Sequence, residues 1–340
     1  MLYPLVFQPI FKERIWGGRE LERLFAKKIP AGQPIGESWE ISDRPGDASI
    51  IANGPLAGKD LRWLMEQHAA EILGGAKPAA DGRFPLLCKI LDAREKLSLQ
   101  VHPPRPTGSA GILPASSETC RQDGGAPGGE PKTEMWFIAA AALDASLYVG
   151  LKRGVTRAEF EKKISDGTVA DCFHRIPVRA GDTMFLPSGR VHAIGDGLVI
   201  FEIQQNSDIT YRVFDWNRVG LDGRPRELHL AQSLASIDFN DFEPKLVETK
   251  FVADGKIQKR PLVNDPLFNV EAWKLDSGAN GFLKPKKLQI IAVTGGQIEI
   301  ESSSAAVNLS AGQFSLIPAS LERTEIVAKS DAALLRVEAN

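Results

Sequence analysis

The sequence predicts a mainly β protein made of two jelly-roll modules, each a β-barrel or sandwich, with a few helices inserted in or packed on the first module. Short segments in which apolar and polar residues alternate recur along the chain, as in half-buried strands. Beyond about residue 240, such segments, one of them predicted as a single strand over 289–300, follow one another with only Gly, Asn, Ser and Asp turns between them. An internal repeat supports two modules, because Ala180-Gly181 and Ala311-Gly312 are each followed, after five further residues, by a proline.

The chain length and this repeat divide the protein into two predicted domains. A chain of 340 residues is long enough for two domains that fold without disulfide staples. We place a first domain, which carries the chemistry and the helical insertions, at 1–240, and a second β domain without metal ligands at 241–340. The reason is that His192 follows the proline of the first repeat, whereas the second repeat lacks a histidine there.

Composition argues against several classes of partner. The net charge of −2 leaves no basic excess for nucleic acid, and no apolar run approaches the length of a bilayer span. The N-terminus lacks the basic region and cleavage site of a signal peptide. Cys88, Cys120 and Cys172 are too few and too scattered for a disulfide framework. We therefore expect a cytoplasmic protein without nucleic-acid or membrane partners.

Three segments between the strands carry local signals. Asp60 is expected to cap a helix over 60–75, which a pair of glycines would end. Thr156 and Glu159 form a capping box that opens a second helix of about ten residues. Residues 105–131 are rich in Gly, Pro, Ala and Ser without a helical or strand period, and predict an inserted flexible loop that carries no chemistry.

Several strand segments carry polar side chains on one face. Because successive side chains of a strand point to opposite sides, residues two apart share a face, and Leu97, Leu99 and Val101 are expected to share an apolar one. The residues on these faces are Ser98, Gln100 and His102 in the segment LSLQVH, Lys132, Glu134 and Trp136 in KTEMW, and Ile200, Glu202 and Gln204 in the strand predicted over 198–205.

Two observations on these strands leave alternatives open. If the strand that carries Glu202 forms a hairpin with the next one, Glu202 would lie near Arg212, as part of a site or as a structural ion pair. Lys89 lies in an otherwise apolar strand predicted over 84–92. A lysine there is costly unless its side chain snorkels to solvent or its ammonium pairs with an anion.

Imidazole and carboxylate groups combine on these faces as they do in metal sites. His102, His192 and Glu134 come from three separate strand segments, each at a position that can face inward. Borderline divalent ions accept two imidazoles and a carboxylate readily, and the amide oxygen of Gln100 would be a fourth, weaker ligand. The sequence therefore predicts one mononuclear metal site, although each residue alone could equally be a hydrogen-bonded core residue or an edge charge.

Several motifs, in order along nearly the whole chain, resemble a known family. The pattern Gly181-x5-Pro187-x-Gly189-x2-His192 is similar to the second cupin motif. The motifs IWGG at 15–18, GESWE at 36–40, LSLQVHP at 97–103, KTEMWFI at 132–138 and HAI…EIQQNSDITYR over 192–212 resemble type I phosphomannose isomerase in its short bacterial form. The resemblance implies two cupin-type modules and an enzyme that interconverts mannose 6-phosphate and fructose 6-phosphate.

The resemblance also implies roles for individual residues. One Zn²⁺ per chain would be bound by Gln100, His102, Glu134 and His192, although another divalent metal could replace it. The family's phosphate-side lysine and serine fall on Lys89 and Ser98, and its active-site arginine falls on Arg212. Two features depart from the family pattern, because Pro104-Arg105 stands where acidic residues are usual and the insertion at 105–131 separates two ligand strands. Neither departure removes a ligand.

The chemistry of aldose–ketose exchange fits these residue types. A proton moves between C1 and C2 through an enediol(ate), and a metal can stabilise the developing oxyanion as a Lewis acid. A base must reach that proton, and Glu202 and Lys132 are the two candidates. We expect Arg212 to hold neighbouring oxygens or negative charge. The expected partner is a small phosphorylated sugar, and the expected assembly is a monomer or weak homodimer.

Two other functions use the same features. A mononuclear iron cupin oxygenase would use two histidines and a carboxylate, but it needs open coordination positions and no phosphate-binding group. A non-catalytic cupin that binds a sugar phosphate would need no metal. Gln100 and Lys89 argue against the first alternative, and the intact ligand set argues against the second.

Overall fold

The structure, a computed structural model, describes residues 1–105 and 129–340, so most of the loop predicted over 105–131 lies outside the described residues. Within the described ranges the chain forms twenty-three strands and four α-helices. The prediction of a mainly β fold with few helices is confirmed. The sheets remain open, so each module is a sandwich rather than a closed barrel.

The elements of the first half include thirteen strands and all four helices of the described chain. The strands are β1 (Ile10–Gly18), β2 (Ile35–Ile41), β3 (Asp43–Arg44), β4 (Asp47–Ala48), β5 (Leu86–Ala93), β6 (Leu99–Val101), β7 (Glu134–Ala141), β8 (Ser146–Leu151), β9 (Phe173–Pro177), β10 (Thr183–Leu186), β11 (His192–Ile194), β12 (Leu198–Gln205) and β13 (Tyr211–Phe214). The helices are α1 (Glu20–Phe25), α2 (Leu61–Leu73), α3 (Arg157–Ser165) and α4 (Leu230–Ser236), with a short 3₁₀ helix at Val169–Cys172.

The second half consists of strands and turns in the described structure. Its strands are β14 (Val252–Asp254), β15 (Ile257–Asn264), β16 (Phe268–Leu275), β17 (Asn280–Phe282), β18 (Gln289–Gly295), β19 (Gln297–Ser302), β20 (Ala306–Ser310), β21 (Phe314–Ile317), β22 (Thr324–Ala328) and β23 (Ala332–Ala339).

Two antiparallel sheets face each other in the first half. The six-stranded sheet has the order β1-β2-β5-β12-β7-β10, and the five-stranded sheet has the order β13-β6-β11-β8-β9. Alternate residues of both sheets fill the space between them, for example Leu91, Trp136 and Ile200 from one sheet and Leu147 and Val149 from the other. Polar residues in phase with these positions must therefore point into the same interior.

The second half repeats this arrangement with one strand fewer in its smaller sheet. Its sheets have the orders β14-β15-β16-β23-β18-β21 and β17-β22-β19-β20. The two Ala-Gly turns occupy equivalent places, since Gly181 and Gly312 adopt positive φ values of 90° and 81° just before β10 and β21. The sheets fall on either side of residue 240, and the division at that residue stays a prediction.

The two six-stranded sheets also share a core. Residues on their outer faces belong to one continuous apolar cluster, in which Phe201 of β12 stacks on Phe314 of β21 with ring centroids 5.6 Å apart. Leu5 and Leu316 exchange backbone hydrogen bonds across the same boundary. The two halves therefore bury apolar surface against each other as well as within themselves.

The predicted helix signals are confirmed. The Asp60 carboxylate accepts the Trp63 amide at 2.7 Å, and the Thr156 hydroxyl accepts the Glu159 amide at 3.2 Å. Gly74 follows α2 with a φ of 58°. No helix in 1–105 or 129–340 combines the length and apolar character needed to cross a membrane.

Two strand expectations are wrong, and the hairpin left open for the strands of Glu202 and Arg212 does not form. The strand with Glu202 and the strand with Arg212 form no hairpin, because β12 lies in the six-stranded sheet and β13 pairs with β6 in the opposite sheet. The turn between them carries the chain from one sheet to the other. The strand expected to run unbroken from Gln289 is two strands, because Gly296 turns the chain with a φ of 71°. Leu97 precedes β6 and packs inside the sandwich, away from the face of Leu99.

Candidate metal centre and sugar cavity

The four predicted metal ligands come from three strands of the first half. Gln100 is the middle residue of β6, and His102 follows the last residue of that strand. His192 begins β11 and lies opposite Gln100 in the five-stranded sheet, whereas Glu134 begins β7 in the six-stranded sheet. The ligands therefore meet across the interior of the sandwich.

The side chains of His102, Glu134 and His192 meet at one buried point. His102 Nε2 lies 3.6 Å from Glu134 Oε2, and His192 Nε2 lies 3.4 Å from Glu134 Oε1. Each of the three residues is 1% exposed. Tetrahedral ligands bound at about 2.1 Å from a zinc ion lie roughly 3.4 Å apart, so these separations suit a shared ion.

Backbone carbonyls hold both imidazoles in the tautomer that a metal requires. Nδ1 of His102 donates to the Ile209 carbonyl at 2.8 Å, and Nδ1 of His192 donates to the Arg190 carbonyl at 2.9 Å. A carbonyl only accepts, so Nδ1 carries the proton and Nε2 keeps its lone pair towards Glu134. Burial lowers the pKa of both imidazoles, that of His192 to about 3, which keeps the rings neutral.

Lone pairs of two imidazole nitrogens and a carboxylate converge on this buried point. Within the described ranges, His102 Nε2 and Glu134 Oε1 have no hydrogen-bond partner. Although burial opposes ionisation, the Lys132 ammonium holds the pKa of Glu134 well below its usual range. An unpaired buried acceptor costs about 1–3 kcal/mol. Two nitrogen lone pairs and a carboxylate oxygen therefore fit a divalent cation.

Gln100 meets this cluster through its amide. Its Nε2 lies 3.3 Å from His192 Nε2, and the Ser98 hydroxyl donates to its Oε1 at 3.2 Å. Turning the amide by 180° exchanges oxygen and nitrogen without moving the chain, which would present the oxygen to an ion. The structure thus brings the predicted fourth ligand next to the other three.

A polar cavity of about 590 Å³ opens beside this point. It reaches the cluster through Gln100 and through Lys132, whose Nζ lies 2.7 Å from Glu134 Oε2. The charged residues of its wall are Glu13, Arg14, Glu37, Lys89, Lys132, Glu202, Asp208, Arg212, Asp222 and Arg226, with Ser98, Gln100, Thr210 and several apolar residues between them. All the predicted catalytic and substrate-binding residues therefore line one cavity.

Lys89 lies in the cavity wall among three carboxylates. Its Nζ is 3.4 Å from Glu37, 3.5 Å from Asp208 and 3.8 Å from Glu202, and it lies 4.7 Å from the centroid of the Trp39 ring. The Lys89 residue as a whole is 3% exposed. Of the two alternatives, Lys89 does not snorkel to solvent, and its counter-charge comes from the protein itself.

The two candidate bases have opposite environments. Burial raises the pKa of Glu202, against the opposing effect of Lys132, and the Trp136 indole donates to its carboxylate at 2.9 Å. For Lys132, burial opposes the charge, but the carboxylates of Glu134 and Glu202 raise its pKa above the ordinary value. Glu202 is thus a stronger base than an ordinary carboxylate, and Lys132 has the character of a fixed cation.

Arg212 is the cavity cation without an acidic partner. Its Nη1 donates to the Glu227 carbonyl at 2.7 Å, and within the described ranges no carboxylate lies within ion-pair distance. Burial and the nearby Arg226 guanidinium lower its pKa. By contrast, Arg226 donates to the Asp215 carboxylate at 2.7 Å. A half-buried guanidinium with no carboxylate at ion-pair distance is disposed to bind an anion.

Several wall residues were missed by sequence reasoning, Asp208 and Arg226 among them. Asp208 lies in the turn after β12, and Arg226 lies in a segment with no strand or helical period. Both reach the cavity because the chain changes sheets after β12 and then loops back from β13. No local pattern in the sequence predicts that the chain comes back to the cavity. The one available signal is that charged residues follow a strand predicted to carry site residues.

Comparisons with known proteins agree with this geometry. A family model described as the catalytic domain of type I phosphomannose isomerase matches residues 5–123. A probable mannose-6-phosphate isomerase of Bacillus subtilis is 35% identical over 94% of this chain and 94% of its own. The crystal structure of a B. subtilis mannose 6-phosphate isomerase superimposes with a TM-score of 0.84, at 30% identity over 99% of both chains. A mannose 6-phosphate isomerase bound with zinc and yttrium shares the fold, with a TM-score of 0.71 and 18% identity over 100% of both chains.

Proposed function

The chain belongs to the type I phosphomannose isomerase family, and on that premise we propose that it interconverts mannose 6-phosphate and fructose 6-phosphate. The reaction moves one proton between C1 and C2 through an enediol(ate), with a compensating proton exchange between O1 and O2. The observation that carries the proposal is the meeting of His102, Glu134 and His192 at one buried point beside a polar cavity.

The metal in this proposal is one Zn²⁺ per chain, held by His102, Glu134 and His192 with Gln100 as the fourth ligand. A bound zinc ion would supply Lewis acidity that stabilises negative charge on the sugar oxygens. Two neutral imidazoles, a carboxylate and a short ligand spacing favour zinc over larger or harder ions. The protein's own part is to hold the ligands in the required tautomer and to exclude bulk water.

Glu202 is proposed as the base that transfers the proton. Its buried carboxylate has a raised pKa, and the Trp136 indole fixes its orientation. Lys132 is proposed to stabilise the enediolate as a cation, since its ammonium lies between Glu134 and Glu202.

The phosphate is proposed to bind at Arg212 rather than mainly at Lys89. The resemblance assigns Lys89 and Ser98 to the phosphate side, and both remain in the cavity wall. However, three carboxylates around Lys89 compete with a phosphate, whereas Arg212 has a guanidinium without an acidic partner. Lys89 would then contact the sugar hydroxyls and neutralise Glu202 and its neighbours.

A single assay separates this proposal from its two alternatives. Purified protein is incubated with mannose 6-phosphate, before and after treatment with a chelator and after addition of Zn²⁺. We expect conversion to fructose 6-phosphate that the chelator abolishes and zinc restores. Binding without conversion would indicate a sugar-phosphate-binding protein, and consumption of O₂ with iron present would indicate an oxygenase.

Two variants then test the placement of the phosphate. Arg212→Ala is expected to raise KM for mannose 6-phosphate about 10–100-fold, because a charged hydrogen bond contributes about 1.5–3 kcal/mol. Lys89→Ala is expected mainly to lower kcat. A raised KM in Lys89→Ala with a lowered kcat in Arg212→Ala would instead indicate that Lys89 binds the phosphate.

The remaining proposals concern the protein as a whole. We propose that it acts in the cytoplasm, as a monomer or weak homodimer, on small phosphorylated sugars, without nucleic-acid or membrane partners. The scattered cysteines and the nearly balanced charge support this view. The division into a catalytic domain at 1–240 and a β domain at 241–340 is likewise a proposal.

A further inference from the structure

The turn after β13 holds the start of the ligand strand β6, and we propose that Trp216 and Arg218 in this turn are positioning residues for the metal site. Trp216 and Asn217 have positive φ values of 57° and 56°, and the Arg218 amide donates to the Asp215 carbonyl at 3.1 Å. Two successive positive φ values define a tight turn that normally uses Asn or Gly. Asparagine tolerates this conformation, but a tryptophan there is strained, so its surroundings must hold it.

Three contacts of the turn reach the chain just before β6. The Trp216 indole donates to the Leu97 carbonyl at 2.7 Å, and Arg218 Nη1 donates to the Lys96 carbonyl at 2.6 Å. The Lys96 ammonium also lies 4.0 Å from the centroid of the Trp216 ring. Two successive carbonyls of the β5–β6 connection are therefore fixed by this one turn.

The strand that follows depends on this attachment because it is short. β6 has three residues, with Gln100 in the middle and His102 just beyond its end. On the other side, the Leu97 amide donates to the Ile194 carbonyl of β11, two residues after His192. Leu97 is thus held between the strand of one histidine and the Trp216 turn, so a shift at Leu97 would displace Gln100 and His102 relative to His192.

The turn also contacts the cavity wall. The Asp215 carboxylate accepts from Arg218 at 2.8 Å and from Arg226, which lines the cavity. The buried Asp215 carboxylate therefore orients both the Arg218 guanidinium, which holds the Lys96 carbonyl, and the Arg226 guanidinium, which lines the cavity.

The test measures zinc affinity rather than activity alone, and it rests on the metal site of the proposed function. The zinc dissociation constant of the full chain is measured by competition with a chromophoric chelator, for wild type, Trp216→Phe and Trp273→Phe. Trp273 is a matched control, because its indole donates to Glu271 at 2.9 Å and Lys259 lies over its ring in the second half. We expect Trp216→Phe to bind zinc about tenfold more weakly, Trp273→Phe to bind it within twofold of wild type, and saturating zinc to restore the kcat of Trp216→Phe.

The outcomes separate the two proposals. A wild-type chain that binds no zinc contradicts the proposed metal site, and the positioning role fails with it. If the wild type binds zinc, two results contradict the positioning role alone. Either Trp216→Phe binds zinc as tightly as the wild type, or Trp216→Phe and Trp273→Phe lose zinc affinity to the same extent. If Trp216→Phe does not fold, Arg218→Lys replaces it, because lysine keeps the charge but loses the forked guanidinium. Weaker zinc binding in Arg218→Lys supports the role, and unchanged binding contradicts it.

Discussion

The two halves of the molecule use equivalent strand positions in opposite ways. In the first half, Glu134 begins β7 and lies opposite the last residue of β10, and Glu202 pairs with Lys89. In the second half, Gln289 begins β18 opposite the last residue of β21, and Arg336 pairs with Glu271. The register therefore places Gln289 where the first half has Glu134, Arg336 where it has Glu202, and Glu271 where it has Lys89.

The side chains at these positions are completely paired in the second half. Arg336 donates to Gln289 at 2.7 Å, to Glu271 at 2.9 Å and to Glu338 at 2.6 Å, and the Gln289 amide donates to the Lys284 carbonyl at 2.7 Å. One guanidinium thus occupies the interior and satisfies the acceptors around it. In the first half the corresponding Glu134 and Glu202 carboxylates pair with Lys132, Glu134 also lies beside two imidazoles, and the group opens onto a cavity.

The same strand arrangement thus holds a self-paired polar cluster in the second half and a cluster suited to ligand binding in the first. A buried polar cluster that closes on itself can stabilise and specify a fold but leaves nothing to bind a ligand. A cluster with unpaired lone pairs costs stability until an ion fills it. The substitutions below test whether the two clusters differ in this way.

The largest expected effect is on catalysis. His192→Ala should remove a metal ligand and lower kcat/KM at least about a thousandfold, because loss of Lewis-acid stabilisation costs several kcal/mol. Thr324→Ala is the matched control, since Thr324 is the first residue of β22, as His192 is of β11. Steady-state isomerase assays on both variants measure kcat/KM, and an active His192→Ala protein would refute the assignment of His192 as a ligand.

The next effect is on stability. Arg336→Met should lower the free energy of unfolding by about 1–3 kcal/mol, because it removes the buried partner of the Glu271 and Glu338 carboxylates while Lys284 still pairs with Glu338. Denaturant unfolding measures this, with Arg157→Met as a control in an exposed ion pair on α3. Activity per folded molecule should not change, and a large loss of activity would mean that the closed cluster also serves the site.

The smallest effect concerns the two glutamine amides. Gln100 is oriented by a single hydroxyl, from Ser98, whereas Gln289 is held at both ends of its amide. Ser98→Ala should therefore lower kcat/KM about 2–10-fold, in line with the loss of one hydrogen bond. The kinetics should recover in Ser98→Thr, which keeps the hydroxyl; equal losses in both variants would show that Ser98 acts through its size alone.

Sequence reasoning identified the features that depend on local pattern. Period-2 alternation placed Gln100, His102 and Glu134 on inward faces, and the chain after Pro318 showed no histidine in the second module. The features it missed depend on long-range register. The change of sheet after β12, the three carboxylates around Lys89 and the return of Arg226 to the cavity arise from pairings between distant segments, which alternation alone leaves undetermined.

The most direct test of the account is the metal content of the intact chain. Protein purified without added metal, loaded with Zn²⁺ and freed of excess ion is analysed by elemental mass spectrometry, together with His102→Ala and Gln289→Ala. The account predicts one zinc per chain in the wild type and in Gln289→Ala, and none in His102→Ala. Two ions per chain, or one ion retained in His102→Ala, would contradict the claim that a single cation is held in the first half alone.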